Sequence, residues 1–193
     1  MPPLARLSRL VLGAATLGLG IALMLESDLG ADGYSTFING ISLTTGMPFA
    51  VTNVVIGAVL LAFSWWRGVT LGTGTLLQPV VVGVTVSAAR GLLREPLDAL
   101  PHALVFFVGM LVVSLGVALY LSAELGPGPA EGPALAMDPP VPFRFGYSAL
   151  QIGQAIIGWL LGSTIGWGTV LTVVLIGPIV DLFGRLVGPR RKV

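Results

Sequence analysis

Long apolar stretches alternate with short polar ones along the whole chain. Six apolar stretches have the length that a helix needs to cross an oily core about 30 Å thick, which is roughly 20 residues. They cover residues 10–27, 49–66, 69–89, 102–123, 147–161 and 165–187. The pattern predicts an all-α polytopic membrane protein with about six transmembrane helices. These helices form a single transmembrane domain, residues 1–193. The lipid bilayer is therefore an expected partner.

Two polar interruptions, after the first and the fourth apolar stretch, resemble each other. The first reads ESDLGADG over residues 26–33, and the second reads AELGPGPAEG over residues 123–132. The segments that follow are too short and too polar to span a membrane. Irregular backbone at membrane depth requires protein or a water-filled cavity to satisfy its amides. We therefore expect interrupted or re-entrant segments, with short helices over residues 33–43 and 132–137.

The two interruptions belong to a longer internal repeat. Aligning residues 17–30 with 113–126 gives seven identities in fourteen positions, and aligning residues 68–83 with 162–177 gives eight in sixteen. Each half holds three predicted spanning helices. Because three is an odd number, the second half enters the membrane from the side opposite to the first. The sequence therefore predicts two inverted three-helix repeats, residues 10–97 and 100–187.

The basic residues predict the orientation of the chain in the membrane. If the N-terminus is inside, eight Lys and Arg residues lie on the inner face, and only Arg90 and Arg94 lie on the outer face. Cytoplasmic loops carry an excess of Lys and Arg. We therefore expect a multi-pass protein with both termini in the cytoplasm and a basic cytoplasmic tail over residues 188–193.

Composition narrows the chemistry that the chain can perform. Hydrophobic residues make up 54% of the chain and charged residues 10%, and the 27 glycines suit helices that pack closely in lipid. There is no cysteine and a single histidine, His102, so neither a thiolate site nor a multi-histidine metal site can form. Catalytic motifs such as His-Glu-x-x-His and Gly-x-Ser-x-Gly are missing from the sequence. We expect no enzyme activity, metal, cofactor or nucleic-acid partner, while the glycine-rich helices are compatible with a homo-oligomer.

Several stretches resemble one family of membrane proteins. They are ESDLGADGYSTFINGISLTTG, AELGPGPAEG, GWLLGSTIGWGTVLTVVLIGPIVDLF near the C-terminus, and the doubled Gly-x-Gly-Thr blocks. They look like the YczE/YyaS/YitT group of bacterial integral membrane proteins, and GxGTVLxxxLIGPxxD is the most specific part of the match. That group is usually regarded as a set of transporters without an assigned substrate. The resemblance therefore implies a protein of the bacterial cytoplasmic (inner) membrane without naming its solute.

Four carboxylates lie around the two interruptions, two at each. Asp28 and Glu124 share one repeat position, directly after an apolar stretch. An acid near the membrane core is costly unless it faces a cavity or a partner, so one interpretation is a pair that binds substrate or a coupling ion in a shared cavity. The other interpretation is that both acids are exposed helix ends in the headgroup region. For Asp32 and Glu131, a solvated or helix N-terminal role is favoured.

Amides and hydroxyls repeat in the same way. Asn53 and Gln154 lie inside apolar helices at equivalent positions, and Thr75 and Thr169 close the two Gly-x-Gly-Thr blocks. Hydrogen bonding between helices is the simpler interpretation of the amides, and contact with a substrate is the alternative. The candidate substrate-binding or coupling residues are Asp28, Glu124, Asn53, Gln154, Thr75, Thr169, Asp32 and Glu131.

Inverted halves, paired interruptions and paired polar residues are together typical of small secondary transporters. We therefore expect a transporter or permease for a small solute, with a binding site where the two repeats meet. Because two carboxylate pairs are the main charges available to such a site, a small neutral or cationic solute is favoured over a large polyanion. The alternative is a non-transporting accessory or assembly protein. A polar cavity between the repeats would distinguish the two functions.

Overall fold

The computed structural model describes residues 3–187, without the side chains of residues 94–96, 98 and 144, and within that part it has eight α-helices and no strand. In chain order the helices are α1 (Pro3–Glu26), α2 (Gly33–Thr45), α3 (Phe49–Trp66), α4 (Thr73–Asp98), α5 (His102–Leu121), α6 (Gly132–Ala136), α7 (Phe143–Leu160) and α8 (Trp167–Val187). The predicted all-α fold is confirmed. The predicted basic tail, residues 188–193, lies outside the described residues.

Each of the eight predicted helical segments corresponds to one helix. The largest difference is in α4, which begins at Thr73 instead of residue 69 and continues to Asp98. Gly68 has φ +93° and Gly72 is extended, so the backbone between them cannot continue a helix. The helix then runs beyond the apolar stretch and ends before its C-cap residue Ala99.

Five helices are long and apolar enough to cross a membrane, namely α1, α3, α4, α5 and α8. Helix α7 is 18 residues long, but Arg144, Gln151 and Gln154 lower its hydropathy and it is not among the five. Large apolar side chains stand exposed on the outside of the bundle, as lipid-facing residues do. The chain is thus a membrane protein with several spanning helices.

The central helix pair, α1 and α5, runs antiparallel at very short range. Gly13 approaches the backbone of Tyr120, while Gly20 approaches Val113, with a Cβ position at Gly20 only 2.5 Å from Val113 N. Gly116 approaches the backbone of Leu17 in the same manner. Only glycine permits this distance, because any side chain would strike the opposite backbone. The core of the molecule forms around this pair.

The two short helices pack against the bundle. Helix α2 lies on α7, where Gly33 and Gly40 approach the backbone carbonyls of Gln151 and Gly158. Helix α6 lies on α3, where Gly132 approaches the Ser64 hydroxyl. Each short helix therefore contacts a long helix from the other end of the chain.

The turns before the short helices make a matched pair of backbone hydrogen bonds. Gly168 donates its N–H to the Leu29 carbonyl at 3.0 Å, and Gly74 donates its N–H to the Leu125 carbonyl at 2.9 Å. Each turn is therefore attached to the first residues of the last long helix of the opposite half. This exchange fixes where the polar interruptions lie relative to the bundle.

Candidate functional site

Asp28 and Glu124 stand at the C-terminal ends of α1 and α5. Both adopt left-handed backbone conformations, with φ 56° and φ 54°, and both are exposed. Because α1 and α5 are antiparallel, the two acids lie at opposite ends of the helix pair. Glu124 forms an ion pair with Arg6 at 3.5 Å. The structure therefore does not bring this pair together in one cavity, and its geometry is that of two exposed helix ends.

A basic side chain from the neighbouring helix caps each of these helix ends. Arg6 of α1 donates from Nε to the Ala123 carbonyl at 2.9 Å and from Nη2 to the Glu124 carbonyl at 3.0 Å. His102 of α5 places Nδ1 2.8 Å from the Ser27 carbonyl oxygen. Basic groups stabilise the free carbonyls of helix C-termini. The two contacts occupy matching positions, and both hold α1 and α5 in register.

Asp32 caps the short helix α2. Its Oδ2 accepts a hydrogen bond of 3.1 Å from the Ser35 N–H, which is the helix N-terminal role favoured from the sequence. The next residues connect this cap to α7: the Tyr34 N–H donates to Gln151 Oε1 at 2.9 Å, and Gln151 Nε2 donates to Tyr147 Oη at 2.9 Å. The start of α2 is therefore joined to α7 by side-chain hydrogen bonds.

Asn53 links α2, α3 and α4 at a fully buried position. The Tyr34 hydroxyl donates to Asn53 Oδ1 at 2.8 Å, and Asn53 Nδ2 donates to the Pro79 carbonyl at 2.7 Å. These bonds support the interpretation of Asn53 as an interhelical hydrogen-bonding residue. Its repeat counterpart Gln154 is also buried, on α7.

Thr75 and Thr169 lie where the two turns contact the Gly-x-Gly-Thr blocks. Thr75 Oγ1 accepts a hydrogen bond of 3.1 Å from the Gly72 N–H, and the same oxygen lies against Gly126. Thr169 Oγ1 lies against Gly30, and it is buried without a hydrogen-bond partner. Both threonines therefore contact the turns that precede the short helices.

Glu131 directly precedes α6, and it faces polar atoms that have no partners. Its side chain makes no capping hydrogen bond, and its Oε2 is buried without a partner. Gln78 Oε1 and Tyr120 Oη are likewise buried and unpaired. Gly128 separates two of these groups: a Cβ position there would lie 2.8 Å from Glu131 Oε2 and 3.2 Å from Gln78 Nε2. The missing side chain of Gly128 leaves the space in which they meet.

These residues form one polar group inside the bundle, which we call the central polar cluster. It joins both interruptions to α3, α4, α5 and α7. Its members are Asp32, Tyr34, Asn53, Gln78, Tyr120, Glu131, Tyr147 and Gln151.

Two carboxyl groups of the cluster influence each other. Burial raises the pKa of the Asp32 carboxyl above its usual range, against the lowering effect of the Ser35 hydrogen bonds. Burial also raises the pKa of Glu131, and the neighbouring Asp32 carboxylate raises it further. Among the side chains that the structure describes, no cation contributes to either shift. The two carboxyls therefore do not both ionise easily, and Asp32 is the one whose charge is stabilised by the Ser35 hydrogen bonds.

Two surface pockets lie away from the cluster. One, of about 400 Å³, is lined by Trp65 and residues 68–71. The other, of about 570 Å³, includes Glu26 and Arg90, which form an ion pair at its wall. Neither pocket is lined by Asp32 or Glu131. The central polar cluster is thus closed to both of them.

Sequence reasoning missed five members of the cluster. Gln78 and Gln151 gave a usable signal, because each is an amide inside an apolar stretch, as Asn53 is. The tyrosines sit near the ends of apolar stretches, where an aromatic residue is ordinary at a membrane interface. The missed residues are Tyr34, Gln78, Tyr120, Tyr147 and Gln151.

Comparison with known proteins points to a single family. The model of a family of unknown function, DUF6198, matches residues 4–185. An uncharacterized protein of Haemophilus influenzae is 29% identical over 184 residues, which is 94% of this chain and 84% of the relative. The uncharacterized membrane protein YczE of Bacillus subtilis is 26% identical over 171 residues, 86% of this chain and 80% of the relative. No solved structure matches the chain.

A further relative fits the same pattern. The uncharacterized protein YyaS of Bacillus subtilis is 23% identical over 185 residues, which is 91% of this chain and 90% of the relative. The resemblance to YczE and YyaS predicted from the sequence is confirmed. Since the family match covers nearly all of the helical bundle, the chain belongs to the family of unknown function DUF6198.

Proposed function

We propose that the protein is a small secondary transporter or permease whose solute binds at the central polar cluster, between two inverted halves. The observation that supports this most directly is the group of three unpaired buried oxygen atoms, Gln78 Oε1, Tyr120 Oη and Glu131 Oε2. Buried polar atoms are almost always hydrogen-bonded in folded proteins. Three of them within one polar cluster of a membrane protein therefore suggest a place that a ligand, an ion or water occupies.

Matched contacts in the two parts of the chain support the inverted arrangement. Gly74 binds the Leu125 carbonyl as Gly168 binds the Leu29 carbonyl. Interrupted segments at matching positions of inverted halves form the binding sites of many secondary transporters. In this proposal α7 is the sixth spanning helix, and its buried amide Gln151 faces the cluster and not the lipid.

The charges of the cluster favour one class of solute. It contains two acids, three phenols and three amides, and no basic side chain of the described part of the chain takes part in its hydrogen bonds. Carboxylates inside a membrane protein typically face cations, protons or hydrogen-bond donors. A small neutral or cationic solute rich in donors is therefore the expected substrate class, moved across the cytoplasmic membrane of the cell with both termini of the protein inside.

A non-transporting accessory or assembly protein is the second candidate. The observation that favours it is that neither surface pocket reaches Asp32 or Glu131. A cluster that neither of these pockets reaches is compatible with a structural role, in which the glycine-rich bundle serves as a docking partner, with other copies of this chain or with another protein.

The deciding experiment screens small solutes against the purified protein by thermal shift and then measures uptake of each hit into proteoliposomes. We expect hits whose stabilisation and flux are lost in Gln78→Ala and retained in Asp181→Asn, an exposed acid on α8 outside the cluster. Copurification with a stable partner, together with no uptake of any hit, would favour the accessory function instead.

A further inference from the structure

Glu131 differs from the other carboxylates of the described chain in what surrounds it. Glu26 pairs with Arg90, and Glu124 pairs with Arg6. Asp32 accepts a hydrogen bond from the Ser35 N–H. Glu131 has no such ion pair and makes no cap, and its Oε2 has no partner. Tyr120 and the backbone N–H groups of Glu131 and Gly128 are the hydrogen-bond donors near its carboxyl, and no cation of the described residues pairs with it.

The unpaired neighbours of Glu131 show which atom is missing. Gln78 Oε1 can only accept hydrogen bonds, and so can an ionised carboxylate oxygen. Tyr120 Oη has a single proton and can satisfy one acceptor at most. Three oxygen atoms with one proton among them leave an acceptor unpaired. One additional proton on the carboxyl supplies the donor that this arrangement lacks.

The titratable and charged groups around Glu131 point the same way. Asp32 lies at the start of α2, and tyrosines approach from three helices: Tyr34 on α2, Tyr120 on α5 and Tyr147 on α7. From α3, which packs on α6, Arg67 approaches the other end of the short helix, where its Nε donates to the Ala136 carbonyl at 3.4 Å. The near surroundings of the carboxyl are thus acidic or phenolic. An ionised Glu131 would stand beside another carboxylate without a compensating cation.

We propose that Glu131 is a proton-binding site, neutral in this conformation, whose carboxyl O–H is shared with Gln78 Oε1 and Tyr120 Oη. The bound species is H⁺, taken up by the carboxylate to form the O–H bond and released by breaking it. Identifying this proton as the coupling ion rests on the proposed transport function. Proton binding itself does not.

The space at the site favours a proton over an alkali cation. The cluster is connected by direct protein hydrogen bonds, and it is closed to both surface pockets. A proton needs no volume, whereas Na⁺ or K⁺ needs several oxygen ligands arranged around an ion-sized cavity. The geometry thus matches the smallest cation.

Infrared spectroscopy of the purified protein in lipid nanodiscs tests protonation directly, without knowledge of the solute. At neutral pH we expect the C=O stretching band of a protonated carboxylic acid, lost in Glu131→Gln and retained in the control Asp181→Asn. In Asp32→Asn the band should titrate away at lower pH than in the wild type, since the like charge that favours the neutral form of Glu131 has been removed. Thermal unfolding confirms that each variant is folded.

Several results would overturn the inference. They are the absence of the band in the wild type, its persistence in folded Glu131→Gln, or its loss in Asp32→Asn together with retention in Glu131→Gln. A band that Na⁺ or K⁺ removes at constant pH, while N-methylglucamine does not, would identify an alkali-cation site instead. Flux in proteoliposomes without the band leaves the transport function standing and rejects the proton site. The band without flux of any solute leaves the proton site standing and rejects the transport function.

Discussion

The Thr169 hydroxyl lies directly against Gly30 and occupies the space that a Cβ on Gly30 would fill. Its backbone has φ +97°, a conformation that side chains disfavour. Gly126, with φ +109°, has the same relationship to the hydroxyl of Thr75. Two independent requirements, conformation and contact, therefore demand glycine at both turns. They also explain why each polar interruption contains Leu-Gly at this point.

A comparison of Gly126→Ala with Gly68→Ala measures the conformational requirement and the contact requirement separately. Gly68 also has positive φ, +93°, but a Cβ there would meet no atom within 4 Å. Gly68→Ala should cost about 1–2 kcal/mol for conformation alone. Gly126→Ala should cost about 1–3 kcal/mol more, because Thr75 and Gly72 must move. Unfolding in mild detergent by a denaturant series measures both, and equal losses would contradict the predicted contact.

The absence of native cysteine makes the packing of α2 directly testable. Ile38 is 0% exposed in the core, while Thr45 is exposed at the end of the same helix. A thiol reagent that cannot cross the membrane should label Thr45→Cys quickly and Ile38→Cys at least tenfold more slowly, since labelling of Ile38 requires local opening of about 1.4 kcal/mol or more. Equal rates along the helix would mean that residues 33–45 form an ordinary exposed loop.

Asn53 and Tyr34 should be energetically coupled. Asn53→Ala leaves both the Tyr34 hydroxyl and the Pro79 carbonyl without their partners, so a loss of about 1–3 kcal/mol in unfolding free energy is expected. Tyr34→Phe removes one of these bonds only. The double variant should lose less than the sum of the single losses, because the shared bond is counted twice. Strict additivity would show that the hydrogen bond contributes nothing measurable.

Orientation in the membrane can be measured with reporter fusions. The excess of Arg and Lys at the chain ends predicts a cytoplasmic C-terminus, and the two outer arginines of α4 predict that residues 99–101 face outward. A phosphatase that is active only outside should report at residue 100, and a cytoplasmic fluorescent reporter should report at the C-terminus. Residue 100 and the C-terminus found on the same side of the membrane would contradict three spans in the second half.

The sequence predicted where the helices lie more accurately than it predicted which side chains lie close together. Apolar length located α3 at both ends, because a spanning helix must satisfy its backbone internally and lipid tolerates few polar residues. The burial of the polar side chains and their contacts could not be predicted in this way. Asp28 and Asp32 flank one interruption as Glu124 and Glu131 flank the other, yet Asp28 and Glu124 are exposed at helix ends while Asp32 and Glu131 lie in the cluster. A few residues along an irregular turn separate the two acids in each case, and no periodicity describes such a turn.

The cluster itself could not be assembled from spacing. Gln78, Tyr120 and Glu131 come from α4, α5 and the turn before α6, and their meeting point depends on how the helices cross. The repeat pattern identified Glu131 as a candidate through its match with Asp32. It gave no signal for Tyr120, since its repeat counterpart Met24 is apolar and fully buried in the core. Symmetry therefore located the turns, while the polar chemistry depends on where the two halves differ.

The exchanged hydrogen bonds of Leu29 and Leu125 make the two ends of the chain behave like subunits of a dimer that happen to be joined. Neither end completes its own turn, since the donor comes from Gly168 for the first and from Gly74 for the second. Cutting the link at residues 99–101 would leave two fragments that each expose unpaired backbone. Expressed together they have a route to reassembly, whereas either one alone would be a target for proteolysis. The short connection after α4 thus guarantees that two interdependent partners are always made in equal number.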